Sequence, residues 1–484
     1  MRLRALFSLA ILAASAAFTI SSGQSLTPGN LVVTRVGDGT ATPTNAANPV
    51  FIDQYTTSGT YVNTIAIPTT QSGTNLPCTN SGTATSELSL NLSGDGRFLT
   101  LGGYDATVGT TGIASSTVPR VCALVGMDGS VDTSTQLGSL YSGNNIRSVW
   151  TADGTAFWCV GANSGIVYSP LGGAGALVIC NSTTNNRIIK SDGTDIYYMT
   201  GAGTRGFYKI PGLPTTSGQT STIQFPTGTS SSPYDFIVVD ANDVYVADDA
   251  AGLQKWVNNG GTWSVAYTQT AGAAFVRSLA YDGTNIYAVT TDDRIVETQD
   301  TGNGFNSFTT LATAATNTHL RGIKLLPASE QTVHASNVTV TSGTLVSGGL
   351  SQIQEADGQY LVAEPSILSH GFIVAGPVQV VVTGTAPSGS ASELKFKGIS
   401  HASRAGVGQT IELYDYQAGA YVSVDTRAIT TSDQTVEIDA SNPARFVNPA
   451  NHEIRARLTF KPMATVNTMK WSISIDQTVW TITP

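Results

Sequence analysis

The stretch RSVWTADGTAFWCVG, residues 147–161, decides the fold. Two apolar and aromatic runs flank Asp153-Gly154, a pair that supplies the positive φ angles of a tight hairpin turn. The same strand–turn–strand pattern recurs at 88–103, 187–201, 236–248 and 277–290. The five turns are spaced by 58, 39, 50 and 40 residues and centre on Asp95, Asp153, Asp192, Asn242 and Asp282. A four-stranded propeller blade needs about 40 to 50 residues, so the repeat predicts a radial array of antiparallel sheets.

The two ends of the repeat region predict how the array closes. Three strand-like runs, LVVTRV, VFIDQY and YVNTIAI, begin at Leu31, and a lone run, LRGIKLLP, ends the region at 320–327. Neither end alone supplies the four strands of a blade, whereas together they complete one more. We therefore predict a six-bladed β-propeller over residues 24–330, with a seventh blade possible inside the long stretch 103–146.

A different all-β pattern follows Pro327. Nine strand-like runs lie between residues 338 and 482, and IELYDYQAGAYVSVDTR, residues 411–427, is a hairpin of two alternating strands around Gln417-Ala418-Gly419. No sustained helical period occurs beyond the N-terminal segment. The fold class is therefore all-β, with a β-sandwich of jelly-roll type predicted over residues 331–484.

The N-terminal segment and the charge balance predict where the protein works. Arg2 and Arg4 precede an apolar run from Ala5 to Phe18, which is typical of a signal peptide, here residues 1–23. No later stretch has the roughly 18 to 20 apolar residues that cross a bilayer. The chain carries 33 acidic against 24 basic residues, a formal net charge of −9, so it lacks the basic footprint of a nucleic-acid binder. We expect a secreted protein, extracellular or at the cell surface.

Two groups of segments carry a resemblance to known families. SDGTDIYYMTG at 191–201 and YDGTNIYAVTT at 281–291 resemble repeats of secreted bacterial β-propellers of the YVTN and NHL-like kind, and this resemblance covers about residues 26–327. QTIELYDYQAGAYVSVDTR at 409–427, with DQTVWTI at 476–482, is similar to a C-terminal jelly-roll domain of uncharacterised secreted bacterial proteins and to galactose-binding-like sandwiches. The resemblance implies a fold and an extracellular setting more than a chemistry.

The residues that begin the innermost strands form the main candidate site. They are four arginines and two acids at equivalent positions: Glu87, Arg147, Arg187, Asp235, Arg277 and Arg321. The first strand of each blade lines the central channel, so these side chains are expected to ring one mouth. Forked guanidinium donors match carboxylate, sulfate or phosphate, which predicts an anion site. The alternative is that arginines and acids pair with one another and close the channel.

Cysteines and clustered carboxylates predict two further features. In an oxidising compartment Cys78, Cys122, Cys159 and Cys180 allow three disulfide pairings, of which the sequential one is Cys78 with Cys122 and Cys159 with Cys180; buried free thiols are the alternative. Asp248-Asp249 and Asp292-Asp293 end corresponding strands, where bound calcium is possible. No other cofactor is expected, because the G-x-G-x-x-G string at 201–206 leads into a strand-like run instead of a helix.

The motifs favour binding over catalysis. Residues 1–318 contain no histidine, and neither a G-x-S-x-G nor an H-E-x-x-H motif occurs. The aromatic residues that could contact sugar are Trp256, Trp263, Tyr414, Tyr416 and Tyr421, and His401 could serve a ligand site on the sandwich. We predict a secreted, non-catalytic surface or matrix protein whose partner is an extracellular glycan or a cell-envelope component. The alternative is an extracellular propeller lyase or lactonase-like hydrolase acting on an anionic sugar, with Glu87 or Asp235 as base.

Overall fold

The computed structural model describes residues 24–173, 176–370, 372–375, 377–387, 389, 391–463 and 470–483. The predicted signal peptide, residues 1–23, lies outside the described residues. The chain divides into two compact units, Met1–Leu326 and Pro327–Pro484. The described regular structure is strand apart from three short 3₁₀ helices, at Ile113–Ser115, Leu350–Ile353 and Pro443–Phe446. None of the helices in the described residues is long and apolar enough to span a membrane.

The described part of the first unit contains six four-stranded antiparallel sheets, here sheets 1 to 6, and a small pair of strands, Ala47–Asn48 with Asn80–Ser81. The strands of each sheet are given from the inner to the outer one. Sheet 1 consists of His319–Leu325, Leu31–Val36, Val50–Tyr55 and Tyr61–Ala66, and sheet 2 of Asn91–Leu92, Phe98–Tyr104, Arg120–Gly126 and Val131–Gln136.

Sheet 3 consists of Ile146–Trp150, Ala156–Gly161, Ile166–Pro170 and Leu177–Cys180, and sheet 4 of Asn186–Ser191, Ile196–Thr200, Gly206–Ile210 and Thr222–Pro226. Sheet 5 consists of Pro233–Val238, Asp243–Asp248, Gly252–Asn259 and Thr262–Gln269, and sheet 6 of Val276–Tyr281, Asn285–Thr290, Arg294–Gln299 and Thr309–Thr313.

Sheet 1 joins the two ends of the unit. Leu31–Val36 pairs antiparallel with His319–Leu325 on one side and with Val50–Tyr55 on the other. The predicted sharing of one sheet by the first three strands and the last is therefore confirmed. The stretch 103–146 adds two outer strands to sheet 2, and its described residues form no further four-stranded sheet.

The Asp-Gly turns form because their residues suit the required backbone. Asp153 Oδ1 accepts hydrogen bonds from the amide and the hydroxyl of Thr155, and Gly154 adopts a φ of +87°. The turns at Asp192 and Asp282 repeat this arrangement, with Gly193 at +89° and Gly283 at +95°. These carboxylates cap their own turns, so their first role is structural.

The inner strands contact one another in cyclic order. A hydroxyl or a long side chain links each neighbouring pair: Thr34 to Leu88 O (sheets 1 and 2), Asn91 to Ser148 (2 and 3), Ser148 to the amide of Ile189 (3 and 4), Lys190 to Phe236 O (4 and 5), Ser278 to Asp235 (5 and 6), and the amide of Ile323 to Ser278 (6 and 1). The six sheets therefore contact one another in a closed cycle, and we call the line through its centre the axis.

The second unit consists of two main sheets packed face to face. In one, Ile473–Thr483 pairs on one side with Glu393–Ala402, which continues to Gln434–Asp439, and on the other with Gln331–His334 and with Leu361–Glu364, which continues to Thr344–Ser347. The other sheet runs in the order Asn337–Ser342, Val378–Thr385, Glu453–Pro462, Val407–Asp415 and Ala420–Ile429. A separate hairpin joins Ile367–His370 to Phe372–Ala375. One apolar core containing Trp480, Phe396, Leu458 and Ile411 fills the space between the main sheets, which makes the unit a β-sandwich.

The structure shows no disulfide among its described residues, so the predicted pairing stays a prediction. All four cysteines are buried free thiols. The sulfur atoms that approach each other belong to Cys122 of sheet 2 and Cys159 of sheet 3, at 3.5 Å, which is well beyond the roughly 2.05 Å of a bond. The two sulfur atoms lie close because Cys122 and Cys159 belong to neighbouring sheets that contact each other.

Candidate functional site

The arginine cluster consists of Arg147, Arg187, Arg277 and Arg321, with Tyr234 and Glu87 beside them. The inner strands carry a β-bulge at this level, seen as a register shift such as the one between Ile146 and Ser148. A bulge re-aims the side chain of the extra residue. In sheet 5 the extra residue is Tyr234, not Asp235, so Tyr234 takes the predicted place of Asp235 among the arginines.

The side-chain contacts show that these residues share one region. The guanidinium groups of Arg187 and Arg277 lie 4.6 and 5.7 Å from the ring centroid of Tyr234. Burial and the nearby charge of Arg187 lower the pKa of Arg147 to about 10. Burial, and to a smaller extent Arg277, lowers the pKa of Arg321 to about 10, against the opposing effect of Asp293. The four predicted arginines are therefore neighbours at the end where the inner strands begin.

The arginines differ in how their charge is balanced. Arg277 makes two hydrogen bonds of 3.1 and 3.2 Å to the carboxylate of Asp249, and Arg321 lies 3.8 Å from that of Asp293. Arg147 donates to Asn185 Oδ1 and to the carbonyl of Asn186, both neutral acceptors. Arg187 has no hydrogen-bond partner among the described residues. The structure therefore holds two adjacent guanidinium groups without an anionic partner in its described part.

Glu87 lies at the edge of this cluster and is enclosed. It is 2% exposed, and it accepts hydrogen bonds from the Tyr104 hydroxyl at 2.5 Å, from the Asn145 amide and from the backbone amide of Ser81. Burial raises the pKa of Glu87 to about 7, although these three donors and Arg321 oppose the shift. The folded protein therefore favours the protonated form of Glu87 more strongly than the unfolded chain does.

We expect Glu87→Gln to stabilise the protein more at pH 8 than at pH 5. Because the folded-state pKa of Glu87 lies above its value of about 4.3 in an unfolded chain, its contribution to stability is full below that value and is lost as the pH rises through 7. Glutamine does not titrate, so the difference in free energy of unfolding between variant and parent should grow by about 1–3 kcal/mol over this range. Urea unfolding at both pH values measures it, and an equal difference at both would contradict the assignment.

Asp235 lies deeper along the axis, between two lysines that the sequence analysis missed. Its carboxylate forms ion pairs with Lys190 of sheet 4 and, at 3.4 Å, with Lys324 of sheet 1. Three more donors, the amides of Phe236 and Leu279 and the hydroxyl of Ser278, complete its hydrogen bonds. Lys190 and Lys324 each follow an arginine of the cluster by three residues, in RIIK and RGIK. That repeated spacing is the signal that could have identified them.

The acidic pairs considered for calcium engage other groups. Asp249 pairs with Arg277, Asp292 with Arg294, and Asp293 with His319, while Asp248 accepts backbone amides of its own loop. Within the described residues no group of three or more His, Cys, Asp or Glu side chains could hold a metal ion. Calcium at these loops stays a prediction.

The aromatic candidates fall into two different environments. Trp256 is 7% exposed and stacks on Phe225 at 4.5 Å, and Trp263 packs on the same ring. Trp256 belongs to the interior of the first unit, and Trp263 is a partly exposed residue on its outer strand. Tyr414, Tyr416 and Tyr421, in contrast, are partly exposed residues on and beside the five-stranded sheet of the sandwich.

These tyrosines share the outer face of that sheet with two arginines, and we call the group the tyrosine–arginine surface. The guanidinium of Arg457 lies 4.0 Å from the ring centroid of Tyr421, and that of Arg455 lies 4.9 Å from Tyr414. Arg457 also makes two hydrogen bonds to Glu412, of 2.6 and 2.7 Å. His401 lies on the other sheet and contacts Asp433 at 2.8 Å, so it is not part of this surface.

The comparisons with known proteins give only distant likenesses. No family model and no curated protein matches the chain. A putative 6-phosphogluconolactonase from Bacteroides uniformis is 13% identical over 84% of this chain and 100% of its own, with a TM-score of 0.37. The WD40 β-propeller domain of Doa1 is 10% identical over 58% and 87%, with a TM-score of 0.35. The N-terminal cellulose-binding domain of a Cellulomonas fimi β-1,4-glucanase is 16% identical over 30% and 87%, with a TM-score of 0.20. Likenesses this weak carry no argument about function.

Proposed function

We propose that this is a secreted, non-catalytic surface or matrix protein that binds an acidic extracellular glycan through the arginine cluster. The six sheets are the blades of a six-bladed β-propeller closed by both ends of the first unit. The second unit is a jelly-roll module that contacts glycan or cell envelope. The support comes from the charges and hydrogen bonds of the cluster, from the cyclic order of the sheets, and from the signal-peptide pattern of residues 1–23.

The observation that carries the proposal is the pair Arg147 and Arg187, which are adjacent and lack an anionic partner among the described residues. Arg147 is 7% exposed, and the Nε atoms of Arg147, Arg187 and Arg321 are buried without a hydrogen-bond partner. Buried charges without a counterion are costly, so an anion bound beside Arg187 would offset the repulsion between the two guanidinium groups. Carboxylate and sulfate match the forked geometry of guanidinium.

The exposure of the arginines limits what can bind. Arg187 is partly exposed and the Arg277 side chain is 17% exposed, whereas Arg147 and Arg321 are buried. A ligand therefore reaches the cluster past Arg187 and Arg277. A negatively charged substituent can bind these two guanidinium groups, whereas an uncharged sugar ring gains no ion pair from them. We infer that the recognised group is a carboxylate or sulfate carried by a sugar.

Arg187→Gln should weaken the binding of trigalacturonate at least tenfold, because it removes the partly exposed guanidinium that lacks an anionic partner. Isothermal titration calorimetry measures the affinity, and the methyl ester of the same trisaccharide serves as the uncharged ligand. Arg97→Gln is the matched control, since the Arg97 side chain is 64% exposed and pairs with Asp95. Equal affinity of the Arg187 variant and the parent would contradict the proposal, as would equal binding of acid and ester.

The alternative, a lyase or lactonase-like hydrolase, needs an acid that reaches a substrate. Glu87 is 2% exposed, and its carboxyl oxygens accept hydrogen bonds from Tyr104, Asn145 and Ser81. Asp235 is 1% exposed and is held by two lysines. With both acids enclosed, the geometry favours binding over catalysis.

The sandwich offers the second contact with glycan, at the tyrosine–arginine surface. Sugar rings pack on open aromatic faces, and polar groups bind their hydroxyls. Arg455 and Arg457 cover one face of Tyr414 and Tyr421 and bring charged donors to the same place. This surface therefore suits polar glycan contacts more than stacking, and the arginine cluster remains the principal site.

A further inference from the structure

A cavity of about 510 Å³ lies on the axis of the first unit, at the end opposite the arginine cluster. Residues near the far ends of all six inner strands line it, among them Asn91, Trp150, Lys190, Phe236, Leu279 and Lys324. Its volume falls in the range of pockets that hold a small organic molecule, about 300–1,000 Å³. We call it the lysine cavity. It shares no residue with the arginine cluster.

The walls of the lysine cavity are largely apolar. Sheet 5 contributes Phe236, Ile237, Val238 and Val239, of which the last two are 39% and 37% exposed. The remaining sheets add side chains of the same kind, namely Leu92, Trp150, Leu279, Ala280, Tyr281 and Leu325. Exposed valines inside a concave surface lose contact with water when an apolar group covers them, so the walls suit an apolar ligand body.

The floor of the cavity, in contrast, carries an excess of positive charge. Lys190 and Lys324 both line the cavity and both face the single carboxylate of Asp235. That carboxylate also accepts hydrogen bonds from Phe236, Ser278 and Leu279, and its single negative charge cannot balance two ammonium groups. Asp192 lies at the exposed rim, where its Oδ1 accepts the amides of its own turn. Lys190 and Lys324 donate otherwise to the carbonyl oxygens of Phe236 and Leu279, so when both amines are protonated the floor carries one more positive charge than carboxylates.

The titration of Lys324 agrees with this geometry. Burial and, to a smaller extent, the charge of Lys190 lower the pKa of Lys324 to about 7, against the opposing effect of Asp235. The other titratable groups that line the cavity are Asp192, Tyr197 and Tyr281. A bound anion would favour the protonated amine, so binding and proton uptake are linked.

We propose that the lysine cavity binds a small amphipathic carboxylate, with its apolar body against the walls and its carboxylate at Lys190 and Lys324. Neither a neutral apolar molecule nor a polar sugar acid satisfies both regions, since the first leaves the excess charge unbalanced and the second leaves the valines exposed. The site is independent of the glycan proposed above, because it occupies the opposite end of the axis.

The probe for this proposal is 2-naphthoate, with 2-naphthalenemethanol as its uncharged counterpart, titrated into the full-length protein by calorimetry. We expect the carboxylate to bind at least tenfold more tightly than the alcohol. Lys190→Met should lower the affinity for naphthoate at least tenfold, whereas Arg187→Gln should leave it unchanged. Equal binding of acid and alcohol, or no binding of naphthoate, would overturn the proposal.

A second measurement needs no variant and keeps the test valid if Lys190→Met fails to fold. Titrations of the parent protein at pH 7.5, in buffers of different ionisation enthalpy, report the protons taken up on binding. Because Lys324 is partly deprotonated at this pH, naphthoate binding should take up a fraction of a proton, and the uptake should fall toward zero at pH 5.5. Binding without proton uptake at pH 7.5 would contradict the placement of the carboxylate beside Lys324. Loss of trigalacturonate binding in Arg187→Gln with naphthoate binding retained would separate this site from the glycan site.

Discussion

Replacing Asp235 by alanine will lower the free energy of unfolding of the first unit by about 3–5 kcal/mol, the cost of breaking a buried ion pair by removing one partner. Asp235 is 1% exposed and accepts hydrogen bonds from the amides of Phe236 and Leu279 and from the Ser278 hydroxyl. Alanine leaves these donors unpaired and leaves Lys190 and Lys324 facing each other without a counterion. Calorimetric unfolding at pH 6, below the pKa of about 7 of Lys324, measures the loss.

The control for this prediction is Asp240→Ala in the same sheet. Asp240 is exposed and caps its own hairpin turn through the amides of Asn242 and Asp243. Its loss should cost less than about 1 kcal/mol, because water replaces the hydrogen bonds. If Asp235→Ala cost no more than Asp240→Ala, the axial ion pairs would not stabilise the ring of sheets.

Replacing Trp480 by alanine will destabilise the second unit by about 3–5 kcal/mol, the usual cost of removing a large buried aromatic side chain. Trp480 is fully buried between the two sheets of the sandwich, with its ring 5.3 Å from that of Phe396 in an edge-to-face arrangement. The strand Ile473–Thr483 that carries it pairs with three other strands, so the cavity cannot close without disturbing the sheet. Calorimetry of the same full-length protein measures the effect.

The matched control in the second unit is Val346→Ala. Val346 is 54% exposed on a short strand, so its truncation should change stability by less than about 0.5 kcal/mol. Asp235→Ala and Trp480→Ala also serve as controls for each other, because the two residues belong to different compact units. Each variant should lower the stability of its own unit only. A Trp480 variant as stable as the parent would contradict the face-to-face packing of the sandwich.

Much of the fold could be predicted because it depends on local signals. Asp153-Gly154 and its counterparts determine hairpins through backbone angles that few other residues adopt. The shared sheet 1 could be predicted by counting strands. Three strands without a blade begin the repeat region and one ends it, and together they make the four strands of one blade. The approach of the Cys122 and Cys159 sulfur atoms could not be predicted, because it depends on which faces of sheets 2 and 3 touch, and no local pattern encodes that.

The site was predictable only to the level of strand starts. Arg147, Arg187, Arg277 and Arg321 were found because they open equivalent strands. Asp235 was misplaced by one position, since a β-bulge at Tyr234 inserts an extra residue that the apolar alternation does not show. Lys190 and Lys324 are separated by 134 residues and lie close together only because the cycle of sheets closes. The shared spacing of RIIK and RGIK places the two lysines at equivalent positions, but it does not predict that both contact Asp235.

The most direct test of the central claim, that the arginine cluster is an anion site, is anomalous diffraction from crystals of the protein soaked in selenate. This oxyanion presents the same hydrogen-bond acceptors as sulfate. We expect a selenium peak beside Arg187, with a selenate oxygen within about 3 Å of its terminal guanidinium nitrogens. A cluster that stays empty at saturating selenate, or a protein carboxylate that pairs with Arg147 and Arg187 in the experimental map, would contradict it.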